Sequence, residues 1–451
     1  MPKFSLFDDF PKISTAEWTQ KIEADLNGLD YASTLVWQSQ EGISVQPFYT
    51  NENSVAHEIR KKEEGWLIGQ IIEVADAEKA NSRAVMAVEK GAKSLRFVIL
   101  TEVLDFNILL RSIDLKNITV HFDFRYVTDK NRHLILEFSR AVHDVYMHFD
   151  CVSHLVKRGN WFVNQKADFD LLKNLLSTGT NKVISVDATV YQNAGATITQ
   201  QLAYVLAHAN EYLNQFDTAT INIQFKVAVG SNYFFEIAKL RALRLLWATL
   251  ASEYGINEEC FISATPSRRN KTLYDYNVNM LRTTTECMSA VIGGADIIYN
   301  QAYDVVYHEP NEFGDRIAIN QLLILKSESY FDKIENAAEG TYYIESLTQE
   351  LAENALVLFK KIEASGGFLE QLKKSVIQDE IKASATLEQE KFDNNELILI
   401  GTNKYSNASD TMKDVVNVGP FSNIDFGETE VVPIVEKRLA EKIEHKRLND
   451  E

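Results

Sequence analysis

Short apolar runs alternate with longer stretches of helical periodicity along most of the chain. Eight runs are rich in β-branched and aromatic residues, and each is followed by a segment whose apolar residues recur at helical spacing. The predicted strands are residues 66–72, 94–100, 117–124, 160–165, 184–189, 221–227, 260–265 and 295–300. The predicted helices are residues 76–90, 102–112, 131–149, 168–176, 196–215, 231–254, 275–291 and 312–328.

Eight strand–helix units predict an α/β fold, a (β/α)8 TIM barrel over residues 66–330. A doubly wound open sheet is the alternative, although no GxGxxG or GxxxxGK[ST] motif follows the first strand. Residues 1–65 are interpreted as an N-terminal extension, in which Ser14 and Glu17 have the spacing of a capping box. Residues 331–451 form a C-terminal region, for which the predicted elements are helices at 341–364 and 367–391, a strand and turn at 396–405, and a charged amphipathic tail.

The charge balance excludes two classes of partner. The formal net charge is −18 at pH 7, whereas nucleic acids and anionic membrane surfaces attract clustered Lys and Arg. The apolar runs are far shorter than the about 20 residues that span a bilayer, and the N-terminus lacks the basic and apolar regions of a signal peptide. A cytoplasmic protein is therefore expected. The cysteines lack a CxxC pair, which indicates buried thiols at Cys151, Cys260 and Cys287.

Residues 270–300 predict a helix with an unusually polar face. Its sequence, NKTLYDYNVNMLRTTTECMSAVIGGADIIYN, places Asn279, Arg282 and Glu286 among apolar positions. Arg282 and Glu286 have the i,i+4 spacing of a surface ion pair, which would contribute about 0.2–0.5 kcal/mol. Alternatively, because this helix follows the seventh predicted strand, polar residues at its start could face a ligand at the C-terminal mouth of the barrel.

Other polar residues are given structural interpretations. His208 has no second ligand at metal spacing and is interpreted as a hydrogen-bonded helix histidine. Glu236 is expected to face Arg241 or Lys239. A basic loop either binds a partner or a phosphate-bearing ligand or, as the favoured interpretation, is solvated; its residues are Arg268, Arg269 and Lys271.

Three long blocks, in the same order along the chain, resemble the methylmalonyl-CoA mutase family. They are YQNAGATITQQLAYVLAHANEYL (residues 191–213), NYFFEIAKLRALRLLWATL (232–250) and NKTLYDYNVNMLRTTTECMSAVIGGAD (270–296). The segment EWTQKIEADLNGLDYASTLVWQSQEGISVQPFYT and the motif LIGTNKY are similar to the small, or β, subunit of that family. The resemblance extends from about residue 14 to residue 445.

This resemblance implies a barrel whose bore admits the pantetheine arm of an acyl-CoA. It also implies a C-terminal domain that holds adenosylcobalamin over the barrel mouth, where homolysis of the cobalt–carbon bond starts the radical interconversion of methylmalonyl-CoA and succinyl-CoA. Many bacterial members of the family pair a catalytic large chain with a homologous small chain.

Three departures from the pattern of catalytic chains indicate that this chain performs no chemistry. Gln192 and Gly195 retain part of the Q-x-A-G-A motif, but the preceding His and Tyr positions fall on Val190 and Thr189. Valine cannot donate a hydrogen bond to the thioester carbonyl, and loss of such a donor costs about 10²–10³-fold in rate. The polar segment that supplies substrate ligands has no counterpart in residues 166–182. No histidine lies in a D-x-H-x-x-G loop, and few residues follow LIGTNKY, so a cobalamin-binding domain is not expected.

The sequence therefore predicts a non-catalytic small subunit. It is expected to form a heterodimer with a homologous large subunit, which binds both adenosylcobalamin and the acyl-CoA, and to wrap that partner with residues 14–50. The retained motif residues are then parts of a scaffold, namely Gln192, Gly195, Asn279, Arg282 and Glu286. Bulky inward-pointing residues are expected to block the bore, namely Phe97, Phe122, Phe162, Phe225 and Tyr299.

Two alternatives remain open. One is a working acyl-CoA mutase barrel that uses cobalamin bound by a separate short chain, although Val190 argues against it. The other is an unrelated barrel lyase or aldolase, which needs a lysine or a metal cluster at the strand ends. Lys226 is the tempting strand lysine for such a reaction.

Overall fold

Eight parallel strands surround a central bore in the computed structural model. The structure describes residues 10, 13–52, 56–59, 65–102, 105–128, 131–141, 145–178, 182–216, 221–421 and 425–451. Two short strands, Trp37–Gln38 (β1) and Ser44–Val45 (β2), form an antiparallel pair ahead of the barrel. The barrel strands are Leu67–Val74 (β3), Ser94–Ile99 (β4), Thr119–Phe124 (β5), Val145–His148 (β6), Ile184–Asp187 (β7), Ile223–Val229 (β8), Phe261–Pro266 (β9) and Ile297–Tyr299 (β10).

The sheet closes on itself. Neighbouring strands follow the order β6-β5-β4-β3-β10-β9-β8-β7. The remaining gap between β6 and β7 is joined by a bridge between Phe149 and Ile184, and by the Met147 amide, which donates to the Lys182 carbonyl at 2.8 Å. This closure confirms the predicted (β/α)8 barrel and shows that the open doubly wound sheet is wrong.

Helices cover the outside of the barrel and also make up much of the chain before and after it. Among the described residues, no helix is long and apolar enough to cross a membrane. A π-helical turn, Ile324–Glu328, extends α12. The helices are Thr15–Asp25 (α1), Tyr31–Leu35 (α2), Ala77–Glu89 (α3), Phe106–Leu109 (α4), Arg132–Ala141 (α5), Cys151–Arg158 (α6), Gln165–Leu176 (α7), Thr189–Ala194 (α8), Ile198–Leu213 (α9), Tyr233–Tyr254 (α10), Val278–Ile292 (α11), Glu312–Leu323 (α12), Tyr342–Ala364 (α13), Phe368–Lys373 (α14), Val376–Asp393 (α15) and Glu441–Asp450 (α16).

The fourth barrel strand lies earlier in the chain than predicted. Residues 131–149, predicted as one helix, contain α5 and then β6. Of residues 160–165, predicted as a strand, 160–164 form a loop and 165 begins α7. Gly159, at φ +77°, ends α6, and Asn164 caps α7 by accepting from the Ala167 amide at 2.9 Å. The apolar residues of this loop therefore lie between the end of α6 and the beginning of α7, and they do not pair with a strand.

The C-terminal region is helical as predicted, with two differences. The predicted helix at 367–391 is divided into α14 and α15, with Ser375 in the left-handed region between them. Residues 396–405 carry a single bridge, between Ile400 and Lys404, in place of the predicted strand. The Asn403 side chain holds this turn by donating to the Leu397 carbonyl at 2.8 Å.

Residues 13–52, called the N-terminal arm, lie on the outside of the barrel. Ser14 and Glu17 form the predicted capping box at the start of α1, yet α1 and α2 bury none of their residues. The arm is anchored by Glu41, whose carboxylate accepts from the amides of Ile198 and Thr199 at 2.9 and 2.8 Å. This places a negative charge at the N-terminus of α9, where the helix dipole favours it.

Residues 429–440, called the C-terminal strap, cross the C-terminal mouth of the barrel. Amides of the strap donate to carbonyls in the segments that follow β6, β7 and β9. The strap therefore joins three βα connections across the mouth. The donor–acceptor pairs are Val431–Gly159 (3.0 Å), Ile434–Val156 (2.8 Å), Lys437–Asn193 (3.1 Å) and Leu439–Arg269 (2.9 Å).

Candidate functional site

The inward-facing positions of the barrel are mostly polar. Side chains alternate along a strand, so contacts between non-adjacent strands identify the inward set. Lys226 on β8 reaches Asp123 on β5, and Arg96 on β4 reaches Ser263 on β9. The other inward positions follow from the register of the sheet. The polar side chains in the bore include Ser94, Arg96, His121, Asp123, Tyr146, His148, Ser185, Asp187, Gln224, Lys226, Ser263 and Tyr299.

Five charged side chains, called the upper cluster, meet at the C-terminal end of the bore, where barrels place their sites. Lys226 Nζ lies 3.0 Å from Asp123 Oδ2 and 3.8 Å from Asp187 Oδ2. Arg125 lies 3.3 Å from Asp123 and 3.0 Å from Asp187. Lys157 completes the cluster at 2.7 Å from Asp187. Each carboxylate therefore contacts at least two cations.

Burial and neighbouring charges shift the pKa values of the upper cluster in opposite directions. Burial raises the pKa of Asp123, but the positive charges of Arg125 and Lys226 outweigh it and lower the pKa to about 2. Burial also opposes ionisation of Asp187, whose pKa is nevertheless held well below its usual range by Lys157 and Lys226. Both carboxylates are therefore ionised at neutral pH and hold cations in place. Burial lowers the pKa of Lys226, and the two carboxylates offset part of that effect.

Arg96 and Tyr299 lie in the middle of the bore. The guanidinium carbon of Arg96 lies 4.1 Å from the centre of the Tyr299 ring, a cation–π contact, and its Nη2 donates to Ser263 Oγ at 2.7 Å. The Tyr299 hydroxyl lies 2.8 Å from Ser94 Oγ. A Cβ on Gly69, which pairs with Tyr299 in the sheet, would overlap the tyrosine ring. Arg96 is 5% exposed and Tyr299 is 0% exposed, so no open channel passes them.

Two neutral histidines lie beside them. His121 Nδ1 and His148 Nε2 are 2.8 Å apart. Burial lowers the pKa of both rings well below the usual range, so neither carries a charge at neutral pH. His121 stacks on Tyr146, which in turn stacks on Phe261 at a centroid distance of 5.8 Å. This aromatic column lies towards the N-terminal mouth of the barrel.

The bore is filled, but four of the five residues predicted to fill it lie elsewhere. Tyr299 is inside. Phe122 contacts Phe106 of α4 edge-on at 5.3 Å, and Phe225 contacts Trp247 of α10 at 5.1 Å, so both point outwards to the helices. The prediction considered bulk and ignored the alternation that sets the direction of each side chain. The residues placed wrongly are Phe97, Phe122, Phe162 and Phe225.

The segment after β7 contains the positions that the family resemblance singles out. Thr189 Oγ1 donates to Asp187 Oδ1 at 2.5 Å, so its hydroxyl proton is already used. Val190 is fully buried. Neither side chain offers a free hydrogen-bond donor to a molecule in the bore.

Gln192 and Gly195 follow in the same segment and serve the packing of α8. Gln192 Oε1 lies 3.5 Å from the ammonium of Lys239. Gly195 ends α8 at φ +96°, and a Cβ there would lie 2.7 Å from the Cβ of Ala385. Glycine is therefore required both by the backbone and by the close approach of α15.

The polar face of α11 packs on the segment that precedes the helix. Glu286 accepts from Lys271 Nζ at 2.7 and 2.9 Å and from Asn270 Nδ2 at 2.6 Å. Glu286 and Lys271, called the α11 pair, are each 1% exposed. Burial raises the pKa of Glu286 and lowers that of Lys271, and their mutual attraction offsets part of each effect. The predicted surface pair of Arg282 with Glu286 is therefore wrong.

Arg282 and Asn279 form a second set of contacts on the same face. Arg282 donates to Asn279 Oδ1 at 2.9 Å and to the Ile400 carbonyl at 2.6 Å. Asn279 also accepts from the Thr272 amide at 3.1 Å. These bonds tie α11 to its preceding loop and to the 396–405 turn, so the polar face of the helix is structural.

The structural interpretations of His208 and Glu236 are confirmed. His208 Nε2 lies 3.0 Å from Asp150 Oδ1. Glu236 lies 2.5 Å from Lys239, one of its two predicted partners.

The solvated-loop interpretation of the basic loop holds for one of its three residues. Arg268 is exposed. Arg269 is 6% exposed and lies 2.5 Å from Glu388 of α15, and Lys271 belongs to the α11 pair. The loop is therefore packed under the C-terminal region.

Sequence reasoning identified Lys226 and missed the charges around it. HFDF (121–124), SVD (185–187) and FKV (225–227) each contain a charged residue within an apolar strand. This signal was available, but the spacing within one strand does not tell which inward positions meet across the bore. The three cysteines are buried and free, as predicted. Within the described ranges, no three His, Cys, Asp or Glu side chains are arranged to hold a metal.

Comparison with known proteins identifies relatives over most of the chain. Residues 98–440 match the family described as methylmalonyl-CoA mutase. The methylmalonyl-CoA mutase small subunit of Porphyromonas gingivalis is 34% identical over 92% of this chain and 73% of its own length. The small subunit of Streptomyces virginiae is 28% identical over 84% of this chain and 68% of its own length. The large subunit of Porphyromonas gingivalis is 31% identical, over 52% of this chain and 34% of its own length.

Proposed function

Because the chain belongs to the methylmalonyl-CoA mutase family, we propose that it is a non-catalytic small subunit that pairs with a homologous large subunit. In this proposal the large subunit binds adenosylcobalamin and the acyl-CoA and carries out the isomerase reaction, the interconversion of methylmalonyl-CoA and succinyl-CoA. This chain contributes a second barrel that supports the geometry of the first, and the complex acts in the cytoplasm.

The filled bore is the observation that carries this proposal. A catalytic chain of the family is expected to admit an extended pantetheine arm through its bore. Here the path is crossed by the Arg96–Ser263 and Lys226–Asp123 contacts. An entering arm would have to break these buried contacts in a low-dielectric interior without replacing them, which is unfavourable.

The C-terminal mouth does not fit the chemistry of a catalytic chain. Val190 offers no proton to a thioester carbonyl, a loss of about 10²–10³-fold in rate. Two histidines that follow the fourth barrel strand or end it are not offered to a corrinoid, because His148 is bonded to His121 and His154 stacks on Phe162 at 3.8 Å. The strap crosses the same surface.

The same features argue against both alternative functions. A barrel that uses a separate cobalamin-binding chain would still need an open path for its acyl-CoA. A lyase or aldolase would need an accessible, uncharged lysine to attack a carbonyl carbon. Lys226 is 2% exposed and lies 3.0 Å from an ionised carboxylate, so it is not accessible to a substrate carbonyl.

The N-terminal arm has the surface expected of an interface. Trp18 is 50% exposed and Trp37 is 51% exposed, and aromatic residues are enriched at protein–protein contacts. A permanent pair of barrels should bury about 2,000 Å² or more, to which the arm would contribute. The proposed division of the chain is an N-terminal extension at 1–65, the barrel at 66–330 and the C-terminal region at 331–451.

Co-expression with a candidate large subunit tests the proposal. We expect a 1:1 complex in size-exclusion chromatography, with turnover of methylmalonyl-CoA by the complex and none by this chain alone with adenosylcobalamin. Trp18→Ser should weaken the complex, whereas the control Leu281→Ser, at a residue 68% exposed outside the arm, should not. Turnover by the chain alone, or a monomer that never associates, would contradict the proposal.

A further inference from the structure

Arg96 is the exception among the buried arginines of the described ranges. The four others each contact a carboxylate, whereas Arg96, at 5% exposure, has no acidic residue within ion-pair distance. A buried charge is normally paired, because an isolated ion in a low-dielectric interior is unstable. The paired arginines are Arg241 with Glu345, Arg244 with Asp296, Arg269 with Glu388, and Arg438 with Glu444.

The neighbours of Arg96 do not supply the negative charge. Ser263 and the Tyr299 ring are uncharged, and burial raises the pKa of Tyr299, so its hydroxyl keeps its proton. His121 is neutral. Asp123 feels the charge of Arg96, but its carboxylate contacts Lys226 and Arg125 at 3.0 and 3.3 Å.

Four polar atoms of inward side chains have no hydrogen-bond partner among the described residues. Each belongs to an inward side chain at the second or third position of its strand, and each of these residues is at most 5% exposed. The register aligns Arg96 with His121 and Ser185 with Gln224. Buried polar atoms are nearly always hydrogen-bonded, so a set of them on four strands points to a ligand. Three of the atoms can donate to an anion, namely Arg96 Nε, His121 Nε2 and Ser185 Oγ, whereas the fourth, Gln224 Oε1, can only accept and would not contact an anion.

We propose that the middle of the bore binds one small monovalent anion against Arg96. The Nε–H of Arg96 and the hydroxyl of Ser185 donate to it. When His148 donates to Nδ1 of His121, the remaining proton of neutral His121 lies on Nε2 and also points to the anion. One uncompensated positive charge requires one negative charge, and Tyr299 leaves no space for a large ligand. The inference does not depend on the proposed partner role, because every residue belongs to this barrel.

Bromide is the first probe, because it scatters anomalously. Crystals of the chain grown in sodium bromide should show one anomalous peak within hydrogen-bond distance of Arg96 Nε, and Arg96→Met should abolish it. The thermal midpoint of the chain should rise with bromide at constant ionic strength set by gluconate, because a ligand that binds the folded state stabilises it. Arg111→Met, at a side chain 56% exposed, is the matched control and should retain the full shift.

Formate and hydrogencarbonate in the same titration distinguish the source of the anion. A shift with these two and none with bromide identifies a small carboxylate, and the reverse identifies a halide; either outcome supports the site. Water alone at Arg96, with equal midpoints in all four salts, would overturn the proposal. If Arg96→Met does not fold, the titration and the bromide map of the unchanged chain still give this answer.

Discussion

Lys226 in the bore and Lys271 beneath α11 are almost equally buried, at 2% and 1% exposure, yet their charges are balanced differently. Lys226 lies between two carboxylates, which also contact Arg125 and Lys157. Lys271 has a single carboxylate, Glu286, and one amide oxygen, from Asn270.

The carboxylates of the two sites respond in opposite directions to this difference. Asp123 and Asp187, each with several cations, have lowered pKa values. Glu286, with one, has a raised pKa, because burial outweighs its single ion pair. The number of opposite charges in contact with a carboxylate therefore decides the direction of its pKa shift more than its burial does. We expect a network of charges to tolerate the loss of one member better than a single ion pair does.

The largest expected effect is at the α11 pair. Glu286→Gln leaves Lys271 buried without a counter-charge, and breaking a buried pair in this way costs about 3–5 kcal/mol. Urea denaturation of the variant should show this loss in the free energy of unfolding. The exposed pair of Lys90 with Glu312 gives the control, since Lys90→Met should leave the midpoint nearly unchanged. A loss no larger than in that control would contradict the comparison.

Removing both charges of the α11 pair tests whether the lost charge itself causes the instability of Glu286→Gln. The double variant with Lys271→Met and Glu286→Leu replaces the α11 pair by apolar groups of similar size, a change that is often neutral or stabilising. It should recover most of the stability lost in Glu286→Gln, as measured by the same denaturation. A double variant as unstable as the single one would mean that Asn270 and the packing around it, not the charge, dominate.

Asp123→Asn should cost less than Glu286→Gln. Lys226 and Arg125 both retain Asp187 as a partner, so the expected loss is that of a charged hydrogen bond, about 1.5–3 kcal/mol. Equal losses in the two variants would show that the network gives no protection.

The contribution of Asp123 to the free energy of unfolding should persist until the pH is low. Its pKa falls from the usual 3.8 to about 2 in the folded chain, so its stabilisation is complete above the unfolded value and is lost as pH falls through the folded one. The difference in unfolding free energy between the unchanged chain and Asp123→Asn should be constant above about pH 5 and shrink between about pH 4 and pH 2. A difference that does not vary with pH would contradict the assignment.

Tyr299→Phe should have the smallest effect, about 0.5–1.5 kcal/mol. It removes a neutral hydrogen bond to Ser94 and keeps the ring over Arg96. Circular dichroism during thermal unfolding would measure it. A loss as large as that of Asp123→Asn would mean that the hydroxyl does more than bond Ser94.

The barrel could be predicted from the sequence because most of its strands and helices have clear periodicity. The fourth strand could not, since β6 is four residues long and follows a helix whose apolar pattern continues through it. The stretch at 160–165 is rich in aromatic residues for a different reason, because Gly159 and Asn164 fix it as a loop.

The candidate site was harder to predict than the fold. Val190 and Gly195 could be placed from a local motif, because they follow directly after one strand. The contacts of Arg96 and Lys226 join strands that are far apart in sequence, so they depend on the closure and register of the whole sheet. The opposite orientation of Phe122 and Asp123, which are adjacent in the chain, shows how one position along a strand separates the helix layer from the bore.

The contact between Gly69 and Tyr299 also limits which residues can occupy these two positions. The backbone at residue 69 is not in the left-handed region, so the tyrosine ring alone forbids a side chain there. A larger residue at 69 is therefore compatible only with a smaller residue at 299, so a redesign that aims to open the bore has to change both positions together.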